Sequence, residues 1–286
     1  MADRGPVKLR EGRISTLIEL YKATYATLTR EIIHASASGK IQKAKVMVRI
    51  NAELQALGVD VDAFIKEEIP RYYNDGANIA LQDLRRLGVD LDPKTGGALI
   101  NREAIKALTD ESAEAIAQSM TAISRSVRQR LGEVLKTQLS FIIAEGKLSG
   151  DTLKTITSAV RDQIEKNGLT ALRDKSGRSW SMDNYADMLV RTKGVEARNQ
   201  GLTNQMLRYG YDLVQVSNHG TDHPACRKYE GKILSLTGKT PGYPTLEQAK
   251  LDGLFHPRCK HAMNVINPTL AAKTKAYDNP YNYLEK

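Results

Sequence analysis

The chain is poor in the residues that build disulfide frameworks, aromatic cores and membrane spans. Its 286 residues include 2 cysteines, 1 tryptophan and 3 phenylalanines. Two cysteines exclude a disulfide-rich secreted scaffold. No segment approaches the ~18–20 consecutive apolar residues of a transmembrane helix. The N-terminal segment MADRGPVKLREGR is polar and lacks the apolar region of a secretory signal. We therefore expect synthesis in the cytoplasm, where cysteines are thiols or metal ligands more often than disulfides.

The residues that are present predict a folded, basic and helix-rich protein. Hydrophobic residues make up 41% of the chain, charged residues 26%, and the formal net charge is +9. This excess predicts either an acidic partner, such as nucleic acid, or simply solvated helix faces. Arg125, Arg128 and Arg130 lie largely off the apolar stripe of their predicted helix. They are the candidate nucleic-acid surface.

The first 170 residues read as successive amphipathic helices. Apolar residues recur at helical spacing in one segment at Ile14, Leu17, Ile18, Tyr21, Leu28 and Ile32, and in another at Ile123, Val127, Leu131, Val134, Leu135, Phe141 and Ile142. Gly58 predicts the end of one helix and Pro70 a kink or restart in the next. The stretch 89–101, which contains Pro93 and two glycines, predicts a loop and a plausible hinge.

The composition changes after residue 170. A helix capped by Ser181 should end at Gly210, and short apolar segments at 213–216 and 232–236 predict two strands. The predicted fold is mainly α, with an extended helical region at 1–170. A small α+β module follows at 171–267, and an extended tail occupies 268–286.

Nearly all of the soft metal ligands lie in one 43-residue window, 219–261. The pattern His-Pro-x-Cys occurs at 223–226 and again at 256–259, and it contains both cysteines. Two His-x-x-Cys turns can supply the four tetrahedral ligands that zinc prefers. The predicted set for one structural zinc, which we call the His/Cys knot, is His223, Cys226, His256 and Cys259. His219 and His261 are alternates, and Asp222 is a candidate to orient an imidazole.

Other interpretations of this window remain open at the level of the sequence. The cysteines could be buried thiols and the histidines hydrogen-bonded turn residues. Alternatively, His219, Asp222 and His223 could hold a catalytic metal that activates water for hydrolysis. Glu230 and Glu247 are the nearest further carboxylates, but neither has a motif around it. A nucleophilic Cys226 paired with a histidine is a further possibility.

The C-terminal third, about 170–267, resembles the minor capsid or head-morphogenesis proteins of tailed bacteriophages. It is similar to the phage minor capsid protein 2 type and to its Mu F-like relatives. The resemblance lies in WSMDNYADMLVRT at 180–192, DLVQVSNHG at 212–220, HPACRKYEGK at 223–232 and FHPRCKH at 255–261. The helical 170 residues before it match only in character.

This resemblance implies a structural virion protein without catalytic residues, present in few copies in the head interior or near the portal. Its expected partners are the portal protein and the major capsid or scaffold protein, and packaged double-stranded DNA is a further candidate. The alternative function is a metal-dependent nuclease or hydrolase that uses His219, Asp222 and His223. A third hypothesis is a nucleic-acid-binding module based on the three arginines.

Overall fold

The chain is mainly helical, with a small antiparallel sheet in its C-terminal part. The computed structural model describes residues 9–37, 43–91, 101–145, 150–167, 172–173 and 179–266. The helices are α1 Glu11–Ala37, α2 Lys43–Arg86, α3 Arg102–Glu145, α4 Gly150–Asn167, α5 Met182–Arg208, α6 Pro224–Arg227 and α7 Leu246–Leu251. The strands are β1 Leu172–Arg173, β2 Ser179–Trp180, β3 Leu213–Val216, β4 Ile233–Ser235 and β5 Met263–Val265. The predicted fold class is confirmed at this coarse level.

Two compact units draw their residues from separated parts of the chain. The unit that contains the three-stranded sheet, here the sheet unit, takes its described residues from Met1–Leu9, Glu67–Thr109 and Leu189–Lys286. The helical unit comprises Arg10–Lys66 and Asp110–Met188. Helices α2, α3 and α5 each contribute residues to both units. The domain boundaries proposed from the sequence at 170 and 267 stay predictions, and the tail 268–286 lies outside the described residues.

The helical unit is built on the apolar stripes that the sequence predicted. In α1 the stripe residues Ile14, Leu17, Tyr21, Leu28 and Ile32 are all at most 1% exposed. The stripe of α3 is buried at Ile123, Val127, Leu131 and Val134, whereas the side chains of Leu135, Phe141 and Ile142 lie outside the described residues. Helix α1 packs against α4. Amphipathic periodicity therefore specified this core without reference to any other signal.

Helix α2 continues past Gly58, where the sequence predicted a helix end, and past Pro70, where it predicted a kink or a restart. It runs unbroken from Lys43 to Arg86, past Gly58 and Pro70, so the predicted helix end at Gly58 is wrong. An interior glycine costs a helix about 1 kcal/mol and an interior proline about 3 kcal/mol. Ile69 and Tyr73, on either side of the proline, are 2% and 0% exposed. Burial of each such side chain contributes ~1.5–3 kcal/mol, so the two together offset a cost of the size that the proline imposes.

Within the sheet unit, α2 and α5 approach each other through two glycines. A Cβ atom on Gly76 would lie 1.8 Å from the carbonyl oxygen of Arg198, and one on Gly201 would lie 2.0 Å from that of Tyr73. Beside this contact, the side-chain amide of Asn204 donates a hydrogen bond of 2.7 Å to the Tyr73 hydroxyl. Only glycine permits such a close backbone approach.

The sheet has the order β4-β3-β5, and both pairings are antiparallel. Val214 at its centre lies opposite Leu234 on one side and Val265 on the other. Both strands expected from the sequence are present, whereas β5 and the short helices α6 and α7 are additional elements. Side chains of the sheet pack with α2 and α5 residues in one core cluster, which includes Leu84, Leu202, Met206, Cys226 and Cys259. The two cysteines are thus part of the hydrophobic core of this unit.

Among the helices of the described residues, none combines the length and the apolar character required to cross a membrane.

Candidate metal centre

Two turns bring the histidines and cysteines of the 219–261 window together beside the sheet. The first turn follows β3 and leads into helix α6. His223 lies directly before the first helical residue, Pro224, and Cys226 within the helix is fully buried. The second turn precedes β5. Its residues Phe255 and Arg258 have positive φ angles of 62° and 65°. Non-glycine residues seldom adopt this left-handed conformation, so the second turn is held in a strained shape around His256 and Pro257.

The two cysteines are free thiols whose sulfurs lie side by side. The Sγ atoms of Cys226 and Cys259 are 3.7 Å apart, and the two residues are 0% and 6% exposed. Burial raises the pKa of the Cys226 thiol to about 12, and the neighbouring Cys259 adds to this effect. A hydrogen bond from the backbone N–H of Phe255 acts in the opposite direction. In the absence of a cation, Cys226 is therefore a protonated thiol at neutral pH.

His261 connects this sulfur pair to a carboxylate. Its Nδ1 lies 3.3 Å from Cys259 Sγ, and its Nε2 lies 3.0 Å from Glu230 Oε1. The side chains of His261 and Glu230 are only 2% and 8% exposed. Burial lowers the pKa of His261, although the hydrogen bond to Glu230 opposes this shift. Burial alone would raise the pKa of Glu230, but hydrogen bonds from His219, His261 and Thr221 lower it below its ordinary value.

The remaining histidines surround the same centre. The rings of His223 and His256 are stacked, with centroids 3.8 Å apart, and those of His219 and His261 lie at 4.2 Å. His256 Nδ1 lies 2.8 Å from the carbonyl oxygen of Pro257. Burial lowers the pKa of His256, and the adjacent His223 lowers it further.

Within the described part of the chain, three groups have possible ligand atoms that all lie within 4.8 Å of one another. They are His223 with Cys226 and His256, then Cys226 with Cys259 and His261, and finally His219 with Glu230 and His261. The four histidines and two cysteines of the window therefore all belong to one cluster. Glu230 joins them, and its only sequence signal is its position within the window.

Two placements differ from the roles considered from the sequence. Asp222 is fully exposed, and its carboxylate accepts a hydrogen bond of 2.9 Å from Arg227. The carboxylate that contacts an imidazole is Glu230 instead. The set His219, Asp222 and His223 does not form one of the three close groups found among the described residues. Of the three residues proposed for hydrolysis, Asp222 thus pairs with Arg227, whereas His219 and His223 belong to two different close groups.

The candidate nucleic-acid arginines lie on α3 in the helical unit. Arg125 and Arg128 are exposed and line a cavity of about 380 Å³, together with polar residues of α2 and α3, including Asn51, Gln55, Thr121 and Ser124. Arg130 is half-buried and forms an ion pair of 2.7 Å with Glu133. Arg125 and Arg128 make no ion pair with any residue that the structure describes. Two of the three arginines therefore present their charge to solvent.

Comparison with known proteins assigns the chain to a family. Residues 15–279 match the family model of phage minor capsid protein 2. The chain belongs to the phage minor capsid protein 2 family. This match includes the helical region as well as the His/Cys window, so both parts of the chain belong to the family's sequence pattern.

A protein of Lactococcus phage LL-H described as "Structural protein" is similar to this member of the family. The two are 25% identical over 229 residues, which cover 71% of this chain and 61% of the relative. The chain thus spans about three fifths of that relative's length. No solved structure matches the chain. Family membership and this relative support a structural role in a bacteriophage particle and confirm the resemblance seen in the C-terminal third.

Proposed function

We propose that this chain is a structural component of the head of a tailed bacteriophage, bound to the portal and to the inner capsid or scaffold during head assembly. The observation that carries the proposal is the match to the minor capsid family over residues 15–279. The name of the similar Lactococcus phage protein points the same way.

The shape and polarity of the helices support a role in protein contacts. Helices α2 and α3 have 44 residues each, and at 1.5 Å per residue each is about 66 Å long. Among the side chains that the structure describes, each helix has a buried apolar stripe, and charged residues are the largest class of exposed residues. Long, charged helix surfaces of this kind suit contacts with other head proteins during assembly.

Contact with packaged DNA is the second element of the proposal. The formal net charge of +9 would lower the repulsion between the chain and densely packed phosphates. Arg125 and Arg128 are the side chains best suited to contact the phosphates, because they are exposed and lie beside polar groups that can hydrogen-bond to phosphate oxygens.

The proposal is tested by counting this chain in purified particles of the source phage. Quantitative mass spectrometry of virions and empty procapsids would compare it with the portal and major capsid proteins. We expect a low, fixed copy number that follows the portal protein in both particles. If the chain is absent from virions and procapsids alike, the structural assignment is wrong. A copy number that follows the major capsid protein would contradict the portal association.

The hydrolase alternative is tested with the same purified protein. It predicts metal-dependent cleavage of DNA, RNA or peptides that disappears in His223→Ala while the fold is retained. The division of His219, Asp222 and His223 between separate partners gives no support to this alternative.

A further inference from the structure

The separation of the two buried sulfurs is close to the separation that a tetrahedral zinc ion imposes. With Zn–S bonds of ~2.3 Å, two thiolates on one tetrahedral zinc are about 3.8 Å apart. In the structure, Cys226 Sγ and Cys259 Sγ are 3.7 Å apart. A thiolate and an imidazole nitrogen on the same ion would be about 3.5 Å apart. Cys259 Sγ and His261 Nδ1 are 3.3 Å apart. Two of the three pairs are thus close to ligand-to-ligand distances, and the ligand atoms of Cys226, Cys259 and His261 all lie within 4.8 Å of one another.

The hydrogen bonds of His261 leave the correct nitrogen available for a metal. A carboxylate can only accept, so the contact with Glu230 requires the imidazole proton to be on Nε2. Nδ1 then has its lone pair, and this is the atom that faces Cys259. Glu230 is itself held by the backbone N–H groups of His219 and Thr221. A fixed carboxylate behind a ligating imidazole is the usual outer partner of a zinc-bound histidine.

The stacked pair His223 and His256 contains the candidates for the fourth ligand. Their ligand atoms form a close group with Cys226, whereas the close group of Cys226, Cys259 and His261 includes neither of them. Both lie within 4.8 Å of the Cys226 sulfur through their ligand atoms. His256 is the better candidate, because its Nδ1 must donate to the Pro257 carbonyl, which leaves Nε2 with a free lone pair. It is also the less exposed of the two. The positive φ angles at Phe255 and Arg258 give the turn its shape around His256 and Cys259.

We propose that Cys226, Cys259, His261 and His256 bind one structural Zn²⁺, with Glu230 as the positioning residue for His261. Compared with the set predicted from the spacing of the His-Pro-x-Cys motifs, His261 takes the place of His223. The ion would join the turn that follows β3 to the turn that precedes β5. This role is independent of the proposed place in the virion, so either proposal can fail without the other.

The first experiment measures the metal content of the full chain purified under reducing conditions. We expect about one zinc ion per chain, by inductively coupled plasma mass spectrometry, in the wild-type protein. The same content is expected in His34→Ala, a control on helix α1 outside the window, and in His223→Ala. Cys259→Ser and His261→Gln should lose stoichiometric zinc, and His256→Ala should bind it more weakly. Glu230→Gln should retain the site with an affinity about 10–100-fold lower.

A second measurement needs no variant to fold. Titration of the metal-free wild-type chain with Co²⁺ should produce the intense visible bands of tetrahedral cobalt and a thiolate-to-cobalt charge-transfer band. The zinc proposal is overturned if the wild-type chain neither retains nor takes up stoichiometric zinc, or if its two thiols are found as a disulfide in the reduced preparation. Loss of zinc in His223→Ala but not in His261→Gln would restore the ligand set predicted from the sequence and contradict the set proposed here.

Discussion

Replacement of Gly76 by alanine tests the close approach of α2 and α5 in the sheet unit. The added Cβ would lie 1.8 Å from the carbonyl oxygen of Arg198 and 2.7 Å from its carbonyl carbon. Cβ atoms essentially never approach other heavy atoms closer than 3.0 Å. The helices would therefore have to move apart by at least about 1.2 Å, because the obstacle is backbone and no side-chain rotation relieves it.

The expected cost follows from two opposing effects. Overpacking of a dense core costs about 1–3 kcal/mol, and a rigid backbone obstacle places Gly76→Ala at the upper end of this range. Alanine favours the helix over glycine by ~0.5–1 kcal/mol, which offsets part of that cost. We expect a net decrease of about 2–2.5 kcal/mol in the free energy of unfolding. Separation of the helices should also weaken the hydrogen bond between Asn204 and Tyr73.

Urea unfolding followed by circular dichroism measures this change, and amide hydrogen exchange locates it on α5. Gly58→Ala is the matched control in the same helix, because a Cβ there would meet only Met120 Cγ at 3.9 Å. The control should be stabilised by ~0.5–1 kcal/mol. If Gly76→Ala is as stable as Gly58→Ala, the inferred backbone contact does not exist.

Three further predictions concern separate features. Burial raises the pKa of Asp212, but hydrogen bonds from Ser235, Thr237 and Thr240 outweigh this effect and lower the pKa below its ordinary value of 3.8. At pH values above 3.8 the ionised carboxylate should therefore stabilise the loop that follows β4. Its contribution should disappear as pH falls through that lowered pKa, and Asp212→Asn should remove this acid dependence from melting curves. Thr245→Ala should cost about 1 kcal/mol in thermal melts by removing the cap on Gln248 N–H, whereas Thr245→Ser should not. Replacing Arg125 and Arg128 by alanine should flatten the slope of log DNA affinity against log salt by about 0.9 per lost phosphate contact. The control is Arg49→Ala, because the Arg49 guanidinium already pairs with Glu31. An unchanged slope in the Arg125 and Arg128 variant, or an equal decrease in slope in Arg49→Ala, would contradict the proposed DNA surface.

The fold was predictable where local pattern and tertiary burial agree. The stripe of α1 has the period of a helix, and the packing of the helical unit buries that same face. Strand β3 was predicted at its observed limits because its short apolar segment is bounded by polar turns. The helix end at Gly58 and a restart at Pro70 were wrong, whereas a kink at Pro70 stays a prediction. Propensity acts on a few bonds, whereas burial of residues such as Ile69 and Tyr73 acts on whole side chains. Strand β5 was missed because three residues carry too little pattern to distinguish it from a loop.

For the candidate site, the sequence by itself identified the window and the histidines and cysteines that cluster in it. Scarce cysteines and histidines within 43 residues sufficed for that, because few other functions require them together. Only the tertiary structure decided how they are partnered. His261 and Glu230 are 31 positions apart, and they meet because β5 pairs with β3 and brings the second turn beside the first. Spacing records distance along the chain, whereas coordination and hydrogen bonding depend on distance in space, which the sheet register sets.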